Sequence, residues 1–162
     1  MFKNWLKKKN KELTLTAPMS GKGVPIADVP DPVFSGKMMG DGMAVDPSEG
    51  ILTSPVDGEV VQLFHTAHAI GIRTKEGVEL LLHIGLETVS MEGEGFTARV
   101  AVGDKVKTGQ PLIEFDLEKV REIAASTVTP VVITNMDHVE QLETLVSGEV
   151  QSGEPMLKVI LK

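Results

Sequence analysis

The chain has 162 residues and a mass of 17.4 kDa, a length that predicts one domain able to bury a core without a covalent staple. It contains no cysteine, which excludes disulfides, thiolate metal sites and a cysteine nucleophile. The formal charge of −7 argues against nucleic acid, whose binding needs cations to displace counterions.

No apolar run approaches the roughly 20 residues that span a bilayer, and no export signal is read at the start, so the expected compartment is the cytoplasm. The first segment, residues 1–15, reads as a tail. Residues 1–11 hold Lys3, Lys7, Lys8, Lys9 and Lys11 and no acid, which leaves the body at −12 against −7 for the whole. Phe2, Trp5 and Leu6 would share one face of a short helix. Apolar side chains ringed by lysines suit contact with a membrane surface; the alternative is a solvated tail.

From residue 16 the chain reads as short apolar stretches cut by 16 glycines and 9 prolines. The segment TAPMSGKGVPI (16–26) is echoed by TSPVDGEVVQL (53–63), which contains the apolar pair Val60-Val61. A hairpin follows, with Thr66–Arg73 as one arm, Thr74–Gly77 as the turn and Val78–Leu86 as the other arm. Alternation puts Leu80, Leu82, Ile84 and Leu86 on a core face and His83 on the other face with Leu81. Pairing Arg73 with Val78 sets His68 directly opposite His83, whereas a bulge at Gly77 would slip that register by one. His65 has the opposite parity to His68 and reads as structural or solvated.

Further strands are expected at Ala98–Val102, Pro111–Phe115, Pro130–Thr134 and Met156–Leu161. A helix is predicted over Asp116–Ala124, with Asp116 as its cap and Leu117, Val120, Ile123 and Ala124 as an apolar stripe. His138 falls in a polar turn and reads as solvated. A second echo relates GDKVKTGQPLIEF (103–115) to SGEVQSGEPMLKV (147–159). These units predict an all-β fold, an antiparallel sandwich with duplicated strand–turn–strand halves and one or two short helices.

The chemistry concentrates on His68 and His83. The sequence lacks a serine nucleophile elbow, a zincin helix and a phosphate-cradling P-loop. Two close imidazoles leave three readings open. One ring attacks phosphorus while the other donates to the phosphoryl oxygens; both ligate a metal; or both are structural.

Several blocks resemble a known family. GVELLLHIGLETV (77–89) and MEGEGF (91–96) are similar to the active-site signature of the glucose-class enzyme IIA (EIIA type 1) of the bacterial phosphoenolpyruvate:sugar phosphotransferase system. The resemblance continues through VPDPVFSGKMMGDGMAV (29–45), SPVDGEVVQLFHTAHAIGI (54–72), EFDL (114–117) and TPVVITNM (129–136). It covers residues 16–162 as one domain, and it implies an antiparallel β-sandwich with duplicated halves.

The resemblance implies that His83 accepts phosphate from the phosphocarrier HPr and that His68 supports the phosphoryl group. It implies that Thr66 orients His68 and that phosphate passes to a cysteine of a separate enzyme IIB. It also implies partner docking on Val33, Phe34, Met38, Met39, Phe64, Ile70 and Leu81, with Asp31, Asp41 and Glu87 as an acidic rim. No cofactor is required, although zinc held by His68 and His83 in a partner complex carries over from some relatives. A zinc peptidase, a biotin or lipoate carrier and a purely regulatory binding protein are the competing classes. The first lacks its clustered histidines here, and the second lacks its lysine hairpin.

Overall fold

The computed structural model describes residues 11–162. The membrane-contacting face read from Phe2, Trp5 and Leu6 lies outside the described residues. Fourteen strands and two short α-helices are described. In chain order the strands are β1 (Glu12–Thr16), β2 (Gly21–Pro25), β3 (Asp41–Pro47), β4 (Ile51–Thr53), β5 (Gly58–Leu63), β6 (Ala69–Arg73) and β7 (Glu79–His83). They continue as β8 (Phe96–Ala98), β9 (Lys105–Val106), β10 (Pro111–Phe115), β11 (Thr129–Ile133), β12 (Val139–Thr144), β13 (Glu149–Val150) and β14 (Pro155–Leu161). The helices are α1 (Pro32–Ser35) and α2 (Leu117–Ile123).

An eight-stranded antiparallel sheet, in the order β13-β2-β3-β11-β7-β6-β5-β9, runs through the molecule. Two three-stranded sheets, β1-β14-β12 and β4-β10-β8, supply the other layer. The main core unites residues of all three sheets, among them Leu15, Ile70, Leu82, Leu112, Val131 and Val159. No helix among the described residues is long and apolar enough to cross a membrane.

The central strands alternate between two apolar layers, because side chains leave a strand on opposite faces in turn. Ile70, Ile72, Leu80, Leu82, Val131 and Ile133 enter the main core. Ala69, Leu81 and Val132 join Ile26, Val29, Phe34, Ala44, Leu86 and Val128 in a smaller cluster on the opposite face. Strands buried on both faces read as near-continuous apolar runs, which is why Leu80-Leu81-Leu82 shows no polar alternation. The smaller cluster is the floor beneath the histidines.

The repeats are structural. Thr16 N–H donates to Pro55 O at 3.1 Å, and its counterpart Thr53 N–H donates to Pro18 O at 2.7 Å. Ala17 exchanges bonds with the Gly153–Glu154 turn, and Ser54 does the same with Gly109–Gln110. The carboxylate of Glu154 accepts from Gln151 N–H at 2.8 Å, and Gln110 Oε1 accepts from Lys107 N–H at 3.1 Å. Gly109 and Gly153 sit at φ +88° and +90°, a conformation that costs a side-chain-bearing residue roughly 1 kcal/mol. The echoed segments therefore make matching backbone bonds, and the two copies cross-link where Thr16 meets Pro55 and Thr53 meets Pro18.

Helix α2 begins where the sequence predicts, with the Asp116 carboxylate accepting from Lys119 N–H at 3.1 Å. Its stripe is narrower than expected. Val120 is buried, while Ile123 is 52% exposed at the helix end. Three expectations are corrected. The strand expected at Ala98–Val102 is Phe96–Ala98. Arg99 N–H still donates to Leu112 O at 2.8 Å, but the chain then enters the turn in which Asp104 N–H donates to Ala101 O and the Asp104 carboxylate accepts from Ala101 N–H. Glu12–Thr16, mostly assigned to the tail, forms β1, because Leu13 and Leu15 pair with Val159 and Leu157 of β14. Leu86 leaves the main core face for the smaller cluster, because Gly85 turns the chain at φ +68°.

Candidate active site

The hairpin register differs from the expected one by a residue. Arg73 pairs with Glu79, and His83 faces Ala69, not His68. The loop absorbs Val78: Thr74 N–H donates to Val78 O at 2.9 Å, and Gly77 takes φ +90°. Val78 is fully buried, so its burial favours the longer loop.

The two rings still meet. β6 begins only at Ala69, after a turn in which Ala67 adopts φ +58° and its N–H donates to Phe64 O at 2.7 Å. His68 lies in that turn, outside strand alternation, and its carbonyl accepts from Ile84 N–H at 2.8 Å. The ring centroids of His68 and His83 are 4.9 Å apart, with planes at 79°. Phe64 stands edge-on to His68 at 5.3 Å, and Phe34 packs against His83 at 5.4 Å.

Each ring has one nitrogen committed. His83 Nδ1 lies 2.8 Å from the carbonyl of Gly85, which only accepts, so Nδ1 carries the proton and Nε2 carries the lone pair. His68 Nδ1 lies 2.5 Å from the hydroxyl of Thr66, a buried residue. With the hydroxyl donating, His68 keeps its proton on Nε2. In that tautomer the site would set a lone pair on His83 Nε2 beside an N–H donor on His68.

Both rings resist protonation. His68 is 2% exposed, and burial, reinforced by His83 and His65, lowers its pKa from 6.5 to about 4. Burial lowers His83 as well, opposed by the Gly85 hydrogen bond and by the negative charge of Asp31. Neutral imidazoles at pH 7 are the form that attacks phosphorus. Among the described residues, no group of three His, Cys, Asp or Glu converges to hold a metal. His68 and His83 would give zinc two of its usual four ligands, His68 only once its proton has moved to Nδ1 with the Thr66 hydroxyl accepting.

The surrounding surface separates into exposed and buried members. Val33, Met38 and Met39 are exposed, with Met38 at 75%, and Phe64 is half-buried. Phe34 and Leu81 are buried in the smaller cluster beneath the rings. Ile70 is the correction: it is fully buried in the main core, because it points to the face opposite Leu81, so it cannot line a docking surface. Helix α1 presents Val33, and the loop after it presents Met38 and Met39. Asp31 caps the helix, accepting from Val33 N–H at 2.9 Å, and Pro32 occupies its first turn.

Asp41 pairs with Lys37 at 3.5 Å, and Glu87 is exposed at φ +60°. His65 is exposed in the Phe64–Ala67 turn, and His138 is exposed beside Gly77. Sequence reasoning missed Gly85 as the acceptor for His83 and Val89, 58% exposed on the loop that follows it. A glycine two residues beyond a candidate nucleophile was the available signal. A Cβ there would lie 2.8 Å from Thr88 Cγ2 and 2.9 Å from Ser126 O.

Comparison with known proteins shows the family. Residues 13–139 match the family model described as phosphoenolpyruvate-dependent sugar phosphotransferase system, EIIA 1. A glucose-specific EIIA component of Bacillus cereus is 56% identical over 165 residues, covering all of both chains. A glucoside-specific EIICBA component of Staphylococcus carnosus is 48% identical over 143 residues, which are 88% of this chain and 20% of that one. The glucose permease IIA of Mycoplasma capricolum superposes with a TM-score of 0.88 at 40% identity, covering 92% of this chain and 96% of that one. The chain belongs to the EIIA type 1 family of the phosphoenolpyruvate-dependent sugar phosphotransferase system, whose members are phosphotransferases that carry the phosphoryl group on a histidine.

Proposed function

We propose that His83 accepts a phosphoryl group from the phosphohistidine of HPr and passes it to a cysteine of a sugar-specific enzyme IIB. The observation that carries this reading is the bond from His83 Nδ1–H to the Gly85 carbonyl at 2.8 Å, which leaves the lone pair on Nε2. In the first step that lone pair attacks phosphorus in line. A new N–P bond forms, and the donor's N–P bond breaks with its electrons returning to the donor imidazole. In the second step the acceptor thiolate attacks phosphorus, and the His83 N–P bond breaks. The chain has no cysteine, so that thiol lies outside it.

His68 is read as the group that supports the phosphoryl oxygens through Nε2–H, with the Thr66 hydroxyl donating to Nδ1. The donor phosphoramidate is already activated, so positioning and charge stabilisation suffice and no nucleotide is needed. Val33, Met38, Met39 and Phe64 supply an apolar docking face, and methionine adapts to more than one partner. In a partner complex His68 and His83 would hold a zinc ion, which would supply positive charge beside the rings and take its remaining ligands from the partner.

The test is phosphotransfer from phosphorylated HPr to the wild-type chain, His83→Ala and His68→Ala. The expected product is an acid-labile, base-stable phosphoprotein in wild type and none in His83→Ala. His68→Ala is expected to transfer onward poorly. Equal labelling of His83→Ala and wild type would overturn the assignment.

A further inference from the structure

We propose that Thr88 and Thr129 are positioning residues that set the tautomer of His83 by gripping one peptide unit, Ile84–Gly85, from both ends. The proposal rests on the reading of His83 Nε2 as the phosphoryl acceptor.

The Ile84 carbonyl accepts from the Thr88 hydroxyl at 2.6 Å. The N–H at the other end of the same peptide, that of Gly85, donates to Thr129 Oγ1 at 3.3 Å. Both threonines are fully buried, 0% exposed. Thr129 spends its own proton on Thr127 O at 3.0 Å, so its oxygen faces Gly85 as an acceptor. The two hydroxyls therefore hold the peptide plane in a single rotation.

The peptide units on either side of that plane touch the two histidines. Ile84 N–H donates to His68 O at 2.8 Å, which ties the His68 turn to the same residue. One residue on, Gly85 at φ +68° directs its carbonyl to His83 Nδ1 at 2.8 Å. Leu86 N–H then donates to Ser126 O at 2.9 Å, which fixes the exit of the segment. The Gly85 carbonyl lies in the next peptide, Gly85–Leu86, and φ of Gly85 joins the two planes. Rotating the gripped unit takes Gly85 away from φ +68° and so misdirects its carbonyl at Nδ1. The imidazole would then divide its proton between Nδ1 and Nε2, and the protonated fraction at Nε2 cannot attack.

A purely structural role for these threonines predicts loss of stability alone. Thr53 provides the matched control, since its buried hydroxyl also donates to a backbone carbonyl, Pro18 O at 3.0 Å, in the interlocked turns away from the rings. The experiment compares Thr88→Val, Thr129→Val, Thr88→Ser, Thr129→Ser and Thr53→Val in the full chain, with folding checked by circular dichroism. Two readouts are taken: the His83 tautomer by long-range 15N–1H NMR of the unphosphorylated protein, and the rate of labelling from phosphorylated HPr at saturation.

The expected result is mixed tautomers in the two valine variants, with labelling slowed about twofold to fivefold, because the roughly tenfold change in tautomer ratio that one hydrogen bond contributes still leaves part of the ring competent. Serine restores both readouts, and Thr53→Val leaves both unchanged. Should Thr88→Val fail to fold, Thr129→Val carries the test. A folded valine variant whose His83 spectrum matches wild type would overturn the proposal. The NMR readout involves no phosphate, so it stands apart from the acceptor reading, which fails separately if His83→Ala is labelled.

Discussion

Acid should weaken this fold partly through one ring. His68 is 2% exposed, and its pKa lies at about 4 against 6.5 when unfolded. Between those values the unfolded chain binds a proton that the native chain refuses, so stability falls as the pH falls. The full effect below both values is at most about 3 kcal/mol, from roughly 1.4 kcal/mol per pH unit, and about 2 kcal/mol of it appears by pH 5. Above pH 6.5 the contribution is complete and flat. The assay is urea unfolding followed by circular dichroism at pH 7, 6, 5 and 4.5, for wild type and His68→Asn. Asparagine keeps a polar atom near the Thr66 hydroxyl but does not titrate. The difference between the two proteins cancels the carboxylates common to both. The wild type should lose about 2 kcal/mol more than the variant between pH 7 and 5. Parallel curves, or an NMR titration of folded His68 near 6.5, would refute the reasoning.

Burial lowers the His83 pKa, so labelling from phosphorylated HPr should be flat through neutral pH and fall only below the ordinary imidazole range; a midpoint at or above 6.5 would contradict this. Gly85→Ala puts a Cβ 2.8 Å from Thr88 Cγ2 at φ +68°, and should cost about 1–3 kcal/mol in thermal unfolding and slow labelling more than tenfold. Met38→Asp should change stability by less than about 0.5 kcal/mol while raising the KM for phosphorylated HPr. Ile70→Ala should do the reverse, costing about 2–5 kcal/mol in urea unfolding with the KM unchanged. Thr66→Val leaves His68 Nδ1 without its partner, and should slow onward transfer to enzyme IIB more than acceptance on His83.

The legible parts of this molecule share a physical basis in short-range chemistry. The cap at Asp116, the apolar parity of Leu80 and Leu82 and the glycine turns at Gly109 and Gly153 each depend on a few adjacent residues. The His68–His83 proximity was legible for a different reason than the one that holds it. The expected ladder set the two rings opposite each other, but Val78 sinks into the core and shifts the pairing. The contact survives because Ala67 takes a left-handed conformation and releases His68 from strand alternation. Nothing in the sequence advertises that conformation, since alanine rarely adopts it. Ile70 enters the expected patch through the family resemblance, and the sequence offers no local pattern that would contradict it. Buried on both faces, β6 and β7 carry no polar alternation to tell Ile70 from Leu81. Thr129 is 44 residues from Gly85 and joins it only through the pairing of β11 with β7.

The position of β14 has a consequence for how the protein is made. Pro155–Leu161 is the central strand between β1 and β12, which pair with it and not with each other. A nascent chain therefore carries β1 and β12 as open edges until its last strand has left the ribosome. Such edges invite pairing with other chains. Closure at so large a sequence separation is also slow relative to local turns. At synthesis rates of about 5–20 residues per second, that exposure lasts several seconds for every molecule. A chain stalled before Pro155 would leave one of the two covering sheets unformed and β1 without its neighbour, a species that chaperones rather than partners would be expected to meet.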